Sequence, residues 1–137
     1  MQQEETDMMK FATGLKTAVF AATMAAGAMT TAMAADLTKA GTIEYVTFKA
    51  KEGVTVEAMS AAAAGGTVNA NLHANYEGFV DRHVALQADG VWIEVVYWES
   101  EEAGRAALDK FVADPVNKPF LDLVNVDSVS ITYSDIH

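Results

Sequence analysis

The chain has 137 residues and a formal net charge of −10, from 19 acidic and 9 basic residues, and it contains no cysteine. This length is typical of one ordinary domain. An acidic surface repels nucleic-acid phosphates and anionic membranes, so we expect neither of them as a main partner. A sequence without cysteine excludes disulfides, a thiolate nucleophile and a thiolate metal site.

The N-terminal part of the chain has the composition of an export signal. Lys10 and Lys16 bracket a basic segment, an apolar run follows it over residues 17–29, and Ala-Met-Ala at residues 32–34 is a typical cleavage motif. The run is too short and too rich in alanine for a transmembrane helix. The competing interpretation is a buried, alanine-rich core helix, but the order of the charges and the cleavage motif both favour a signal.

We therefore predict an N-terminal extension plus a cleavable signal peptide over residues 1–34 and a single domain over residues 35–137. The first eight residues are acidic, which is the wrong sign for such a signal, so we expect translation to start at Met8 or Met9. We expect the product in the periplasm or outside the cell, without stable membrane association after cleavage.

The first half of the domain predicts a strand followed by a long helix. Thr42–Ala50 is rich in β-forming residues and alternates in polarity, as a strand does. Residues 55–75 have apolar positions at spacings of three and four, which is typical of a helix. Gly65 and Gly66 interrupt this helix, and each costs about 1 kcal/mol relative to alanine. We therefore expect a bend or a break at the two glycines.

The second half of the domain predicts a hairpin, a helix and a last strand. In chain order, the predicted elements are a strand at Phe79–Leu86, an Asp-Gly turn at residues 87–90, a strand at residues 91–98, a helix at residues 100–112, a helical turn near Pro119 and a strand at residues 128–134. Ser100 is suited to cap the helix, and the helix dipole favours Glu101 and Glu102 in its first turn. Asp114 followed by Pro115 ends that helix.

This βαββαβ order predicts an α+β, ferredoxin-like domain with a four-stranded antiparallel sheet and both helices on one face. The third strand is apolar on both parities: Trp92, Val96 and Trp98 on one, and Val91, Ile93, Val95 and Tyr97 on the other. One set can pack beneath the helices, whereas the other also needs a cover. We therefore predict a homodimer in which two such sheets face each other across a two-fold axis.

The junction between the third strand and the following helix, WESEEA at residues 98–103, resembles that of antibiotic biosynthesis monooxygenase (ABM)-like domains. Gly78-Phe79 and residues 119–127 give weaker support, and the resemblance covers most of residues 43–133. It implies membership of the dimeric α/β-barrel superfamily, with a small-molecule cavity between sheet and helices. Activities in that superfamily include cofactor-free oxygenation of polycyclic phenols and quinols, and haem breakdown.

The haem-degrading branch of the superfamily carries three residues that this chain lacks. It has an asparagine on the first strand, where Thr42–Ala50 has none. Ala106 occupies the place of its tryptophan, and Val116-Asn117 the place of its histidine. We therefore expect no haem, and the resemblance implies neither a cofactor nor a metal.

The cofactor-free oxygenases use asparagine, tryptophan, tyrosine and arginine around the substrate, and this chain has those residue types. We take Asn71, Trp92, Tyr45 and Tyr97 as candidate ligand-binding residues. Trp92 is the better cavity candidate of the two tryptophans, because Trp98 stands at a strand–helix corner that suits core packing. Aromatic residues on a central strand are also commonly plain core, and this alternative stays open.

Asp81-Arg82-His83, on the second strand, is the densest polar cluster in a predicted strand. Asp81 and His83 share one face of the strand, and Arg82 points to the other. We take all three as candidate catalytic residues, with His83 as a general base on a phenolic substrate and Asp81 as its neighbour. The alternatives are a polar patch at the dimer seam, or a metal site shared with His73 that lacks a third ligand. A buried Glu94 needs a partner, either Arg82 or a group across the dimer.

Together these features predict an exported ABM-like domain that binds a small apolar or aromatic molecule. The resemblance implies a cofactor-free monooxygenase for quinol- or phenol-type substrates. The alternative is a non-catalytic ligand-binding, sensor or interaction module of the same fold. The two differ in whether Trp92, Arg82 and His83 border one apolar cavity.

Overall fold

The computed structural model describes residues 35–137, and the predicted signal peptide lies outside the described residues. The strands are β1 (Thr42–Ala50), β2 (Phe79–Leu86), β3 (Trp92–Trp98) and β4 (Val124–Asp135). The helices are α1 (Val56–Ala64), α2 (Thr67–Asn75), α3 (Glu101–Ala113) and the four-residue α4 (Lys118–Leu121). Short 3-10 turns lie at Leu37–Lys39 and Pro115–Asn117. None of the described helices is long and apolar enough to span a membrane.

The four strands form one antiparallel sheet in the order β2-β3-β1-β4. Apolar residues of α1, α2, α3 and α4 join the buried residues of β1 and β3 in one core, so the helices cover one face of the sheet. The predicted α+β, ferredoxin-like architecture is confirmed.

The predicted break in the first helix is present. Gly65 and Gly66 separate α1 from α2, and Gly66 has a φ of 96°, which a residue with a side chain adopts only at a cost. A Cβ placed on Gly65 would lie 2.1 Å from the Ala61 carbonyl oxygen. The glycine pair therefore turns the chain sharply and lets both short helices pack on the sheet.

The last strand begins earlier than predicted. β4 starts at Val124, not at residue 128, because Asn125 and Val124 pair with the end of β1 beyond a register shift. The Ser128 hydroxyl fills that irregularity, since it accepts from the Lys49 amide at 2.8 Å and donates to the Asn125 carbonyl at 2.6 Å. The shift breaks the alternating pattern, and this hid the first four residues of the strand.

The two faces of the sheet differ in burial. The face beneath the helices, called the inner face, carries the buried residues Thr42, Glu44, Val46 and Phe48 of β1 and Trp92, Glu94, Val96 and Trp98 of β3. The opposite face, called the outer face, carries Ile43, Tyr45 and Thr47 of β1 and Ile93, Val95 and Tyr97 of β3. These side chains are half-buried apart from Tyr45, which is 40% exposed. Both faces of the central strands are thus largely apolar, as the sequence predicts.

Candidate functional site

A cavity of about 770 Å³ lies between the inner face of the sheet, the helices α3 and α4, and β4. Small-molecule sites commonly have this volume and a mainly apolar lining. Its apolar wall includes Val46, Phe48, Val96, Trp98, Ala107, Leu108, Phe111, Phe120, Leu121 and Ile131. The buried polar residues in the wall are Glu44, Arg82 and Glu94. The site is therefore a mainly apolar cavity with three charged residues on the side formed by the sheet.

Exposed residues of the lining mark the mouth of the cavity. Val112 near the end of α3 is 62% exposed, and Val126 and Val129 of β4 are 70% and 39% exposed. A small molecule can therefore enter between the C-terminal part of α3 and the first half of β4.

The register of the sheet places the polar groups together. Glu44 of β1 pairs with Val96, and Glu94 of β3 pairs with Val46, so the two carboxyl groups are diagonal neighbours on the inner face. Arg82 of β2 pairs with the same Val96 from the other side. Three ionisable side chains from three adjacent strands thus meet beneath the helices.

Arg82 is held by both the sheet and the helix break. Its Nε donates to Glu94 Oε2 at 3.0 Å, and its Nη1 donates to the Ala63 carbonyl at 2.6 Å and to Asn69 Oδ1 at 2.9 Å. The guanidinium carbon lies 5.6 Å from the centre of the Phe120 ring. Arg82 Nη2 is buried without a hydrogen-bond partner among the described residues. The expected pairing of Glu94 with Arg82 is present, and Arg82 itself is among the residues that line the cavity.

Glu44 has a different partner. The Trp98 indole Nε1 donates to Glu44 Oε2 at 2.7 Å in a buried position. The pKa of Glu44 is raised to about 7. Burial is the largest cause and the nearby Glu94 carboxylate acts in the same direction, whereas the Trp98 hydrogen bond and Arg82 lower the pKa. Glu44 can therefore change its protonation state near neutral pH inside an apolar chamber.

Tyr133 of β4 lies next to this group of residues on the inner face, since it is the register partner of Glu44. Its hydroxyl is buried without a hydrogen-bond partner among residues 35–137, and burial raises its pKa to about 12. The Arg105 guanidinium covers its ring at 4.4 Å. Gly104 of α3 permits this packing, because a Cβ there would lie 3.0 Å from both Trp98 and Tyr133.

The structure exchanges the roles expected of the two tryptophans. Trp92 is buried in the core, with its ring stacked on Phe48 at 6.4 Å, and it is not part of the cavity wall. Trp98 lines the cavity and packs edge-to-face against Phe79 at 5.6 Å. The preference for Trp92 as the cavity residue was therefore wrong. The reason is packing, since the Trp92 ring is stacked on Phe48, and Phe48 is the residue of that pair that lines the cavity.

The outer face holds four of the candidate residues. His83 Nε2 lies 2.8 Å from Asp81 Oδ2, and the His83 side chain is 67% exposed. The His83 ring lies 6.4 Å from the Tyr97 ring in an edge-on arrangement, and Tyr45 is on the same face. Arg82 points into the cavity on the inner face. The sheet therefore separates His83 and Asp81 from Arg82, so Trp92, Arg82 and His83 do not border one cavity. The arrangement that was expected to distinguish an oxygenase from a binding module is absent, so an oxygenase would have to use other residues of the cavity.

Asn71 belongs to a polar network at one end of the domain, outside the cavity wall. Its Nδ2 donates to Asp114 Oδ2 at 2.8 Å, and its Oδ1 accepts from Asn75 at 2.8 Å. The Tyr76 hydroxyl donates to the same Asp114 oxygen at 2.9 Å and accepts from Asn117 at 3.2 Å. The hydrogen bonds from Asn71, Val116 and Tyr76 hold the pKa of Asp114 below its usual range. This network connects α2 to the turn after α3. The Asn71 side chain therefore has a structural role.

His73 does not join His83. Its ring packs edge-on against Phe79 at 4.7 Å. Residues 35–137 contain no group of three or more side chains placed to hold a metal ion.

Sequence reasoning did not single out Glu44. The available signal was its position in β1, where Thr42, Glu44, Val46 and Phe48 share one parity. A carboxylate on the apolar parity of a strand is costly to bury. Glu94 attracted attention for this reason, and Glu44 has the same property.

Comparison with known proteins gives no match to a protein-family model, and it gives no significant match among curated proteins. Solved structures do match. A monooxygenase from the gene ActVA-Orf6 of Streptomyces coelicolor, in complex with nanaomycin D, is 22% identical over 75% of this chain and 95% of that chain, with a TM-score of 0.55. SnoaB, a cofactor-independent oxygenase from Streptomyces nogalater, is 17% identical over 72% of this chain and 95% of that chain, with a TM-score of 0.50.

Two further structures extend the comparison. A putative antibiotic biosynthesis monooxygenase from Caulobacter crescentus is 18% identical over 72% of this chain and 92% of that chain, with a TM-score of 0.52. A dimeric ferredoxin-like protein from an uncultured marine organism is 8% identical over 74% of this chain and 92% of that chain, with a TM-score of 0.51. Residues 35–137 thus share the ferredoxin-like fold of these solved structures.

Proposed function

We propose that the domain binds a small, largely apolar aromatic molecule in the cavity between sheet and helices and oxygenates it without a bound metal or flavin. The observation that carries this proposal is the cavity of about 770 Å³, with its apolar wall and its three buried charged groups. The size suits a fused-ring phenol, and the few polar groups suit its hydroxyl or carbonyl oxygens.

A phenol or quinol can supply its own electrons for this reaction. In the simplest form, a phenol C–H and O–H are replaced by two carbonyl groups: phenol plus O₂ gives quinone plus water. The substrate carbon framework gives up four electrons, O₂ accepts all four, and one oxygen atom enters the product. The protein then has to bind and orient the substrate, exclude bulk water and assist proton transfer.

The buried groups of the cavity are suited to these tasks. Arg82 lines the cavity, and its positive charge can stabilise a phenolate oxygen of the substrate. Its position is fixed by Glu94 and by the Ala63 carbonyl. SnoaB is described as a cofactor-independent oxygenase, and the ActVA-Orf6 protein as a monooxygenase with bound nanaomycin D, which supports the same chemistry for this fold.

The test uses 1,5-dihydroxynaphthalene, whose oxygenation consumes one O₂ and yields juglone and water. We expect chelator-treated protein to consume O₂ and form juglone in equal amounts, with one oxygen atom of the product coming from labelled O₂. Val129→Trp narrows the mouth of the cavity and should slow the reaction. Val56→Trp is the matched control, because Val56 is 53% exposed and outside the cavity wall.

The result separates an enzyme from a binding module. If phenols bind but neither this substrate nor other hydroquinones consume O₂, the domain is a non-catalytic ligand-binding or sensor module. If Val129→Trp and Val56→Trp behave alike, the reaction does not occur in this cavity.

We further propose that two copies pair through their outer faces. The centre of that face is formed by half-buried apolar residues such as Ile93 and Val95, which a second copy can cover. The marine ferredoxin-like structure is described as dimeric, which supports this arrangement. His83 and Asp81 then lie at the seam between the copies, as the alternative interpretation of that cluster expects.

Export of the domain is also a proposal. It depends on the signal pattern in residues 17–34. We expect the secreted or periplasmic form to begin at Ala35. Mass spectrometry of the mature chain tests this, and recovery of uncleaved protein from the cytoplasm alone would contradict it.

A further inference from the structure

We propose that Glu44 accepts the proton of a phenolic hydroxyl bound in the cavity, with the Trp98 indole fixing one of its carboxylate oxygens. This inference rests on the proposed function, because it assigns the base of the same site. It replaces the outer-face pair of His83 and Asp81 as the proton acceptor.

The position of Glu44 makes it the carboxylate best placed for this role. It lines the cavity wall and is 7% exposed, so a ligand in the cavity contacts it away from bulk water. Trp98 donates to Oε2 at 2.7 Å. Among residues 35–137 no group donates a hydrogen bond to Glu44 Oε1, so this oxygen can accept one from a ligand.

The other buried carboxylate of the cavity is already neutralised. Glu94 Oε2 accepts from Arg82 Nε at 3.0 Å, and within the described residues no cation forms an ion pair with Glu44. A base that is not neutralised by a cation takes up a proton more readily. The two carboxylates therefore have different roles: Glu94 holds Arg82 in place, and Glu44 exchanges protons.

The charged and titratable groups around Glu44 come from every element that packs on it. They are Glu94 on β3, Arg82 on β2 and Tyr133 on β4; on α3, Glu101 and Arg105 lie near Tyr133, and Asp109 is part of the cavity wall. Burial and Glu94 favour the neutral acid, whereas Trp98 and Arg82 favour the carboxylate. The balance brings the pKa of Glu44 to about 7, which matches the requirement that a general base be poised near the working pH.

The proton step is simple in outline. The Glu44 carboxylate takes the phenol proton, and the substrate becomes a phenolate that is more readily oxidised by O₂. The carboxylic acid formed on Glu44 then returns this proton to the reduced oxygen, which takes up the hydrogen of the replaced ring C–H as its second proton and leaves as water. No charge or proton is gained or lost by the protein over the cycle.

The first experiment compares Glu44→Gln with the unaltered protein on 1,5-dihydroxynaphthalene. Glutamine keeps the shape of Glu44 and can still accept from Trp98, but it cannot take a proton. We expect kcat to fall by about 10²- to 10⁴-fold, with KM changed by less than about 3-fold, and the rise of rate through neutral pH to disappear. Glu52→Gln, on an exposed turn residue, is the matched control and should leave the rate unchanged.

The second experiment is independent of turnover. Binding of 1-naphthol and of its methyl ether, 1-methoxynaphthalene, is measured without O₂ by calorimetry at about pH 5.5 and pH 8. A hydrogen bond to a buried carboxylate should make 1-naphthol bind about 10-fold more tightly at the higher pH, whereas the methyl ether should gain nothing. In Glu44→Gln the pH dependence of 1-naphthol binding should vanish.

The outcomes separate this inference from the proposed function. If the pH-dependent binding is present but no substrate turns over, Glu44 is a proton acceptor in a binding module, and the proposed oxygenase activity is rejected. If the protein turns over substrate and Glu44→Gln does so equally well, the oxygenase stands and the role of Glu44 is overturned. Should Glu44→Gln fail to fold, Trp98→Phe removes the indole donor and should move the pH midpoint of the rate upward. An unmoved midpoint in that variant counts against the inference.

Discussion

Single buried residues decide what this cavity can do. An apolar chamber binds many molecules weakly, and selectivity comes from the few polar groups on its floor. Arg82 and Glu94 form an ion pair that is almost fully buried, with side chains 1% and 9% exposed. The pair places the charge of Arg82 at the cavity wall, and among residues 35–137 Glu44 has no cation partner.

Removal of one partner of this ion pair should destabilise the fold. Arg82→Met leaves Glu94 buried and uncompensated, so we expect the free energy of unfolding to fall by about 3 to 5 kcal/mol. Urea denaturation measures the change. Lys118→Met, which removes an exposed pair with Asp122, is the control and should cost less than about 1 kcal/mol. Equal losses in the two variants would contradict the structure of the site.

Glu44 should make stability depend on pH. Burial raises its pKa from 4.5 to about 7, so between these values the folded state binds more protons than the unfolded chain. The free energy of unfolding should therefore decrease as the pH rises through this window, by up to about 3 kcal/mol. Glu44→Gln should remove this decrease and be the more stable protein at about pH 8, as urea denaturation can show. Parallel pH profiles for both proteins would refute the raised pKa.

At the scale of secondary structure, the break between α1 and α2 positions the site. α1 ends at Ala64, so the Ala63 carbonyl has no helical partner, and Arg82 Nη1 donates to it at 2.6 Å. Asn69 at the start of α2 contacts Arg82 through both its side-chain oxygen and its amide nitrogen. The glycine pair thus shapes the floor of the cavity, although it lies outside the cavity wall.

A side chain at Gly65 should disturb both the fold and the site. In Gly65→Ala the new Cβ would overlap the Ala61 carbonyl, which must move, and the Ala63 carbonyl moves with it. We expect a loss of more than about 2 kcal/mol of stability together with weaker ligand binding. Gly53→Ala is the control, because a Cβ there meets open space; its positive φ of 81° should cost about 1 kcal/mol, and ligand binding should be normal. Unfolding and binding titrations of the two variants provide the comparison.

Local patterns predict these elements well where they are regular. The bounds of β1 and β2 and the break at the glycines followed from alternation and turn residues alone. β4 did not, because its register shift is stabilised by Ser128 and interrupts the alternation. The site was harder still, because Glu44, Trp98 and Arg82 are distant in sequence and meet only through strand pairing. The position of Glu44 among the buried, alternate residues of β1 could have indicated it. The exchange of Trp92 for Trp98 depends on ring packing, since Trp92 is stacked on Phe48, and local sequence does not show such a contact.

At the scale of the whole molecule, the outer face of the sheet decides the assembly. A domain of about 100 residues has a small core and little stability to spare, so covering an apolar sheet face contributes substantially. Val95 lies near the centre of this face, between its register partners Tyr45 and His83. A second copy placed across a two-fold axis brings these residues close to their own counterparts.

A charge at the centre of the outer face should prevent pairing. In Val95→Lys, two lysines would be buried near the two-fold axis, so we expect the dimer dissociation constant to rise by at least about 100-fold. Sedimentation velocity over a wide concentration range measures it. Val56→Lys on α1 is the matched control and should remain dimeric. An unaltered protein that is monomeric and well folded at every concentration would exclude the proposed dimer.

We propose that the functional site is the cavity beneath the helices and not the outer face with its histidine. Nuclear magnetic resonance tests this most directly, through a titration of isotope-labelled protein with 1-naphthol under nitrogen. We predict shifts of the Trp98 indole N–H signal and of the amides of Val96 and Ala107, which line the cavity. Shifts confined to Tyr45, His83 and Tyr97, with an unchanged Trp98 indole, would place the ligand on the other side of the sheet and contradict the account.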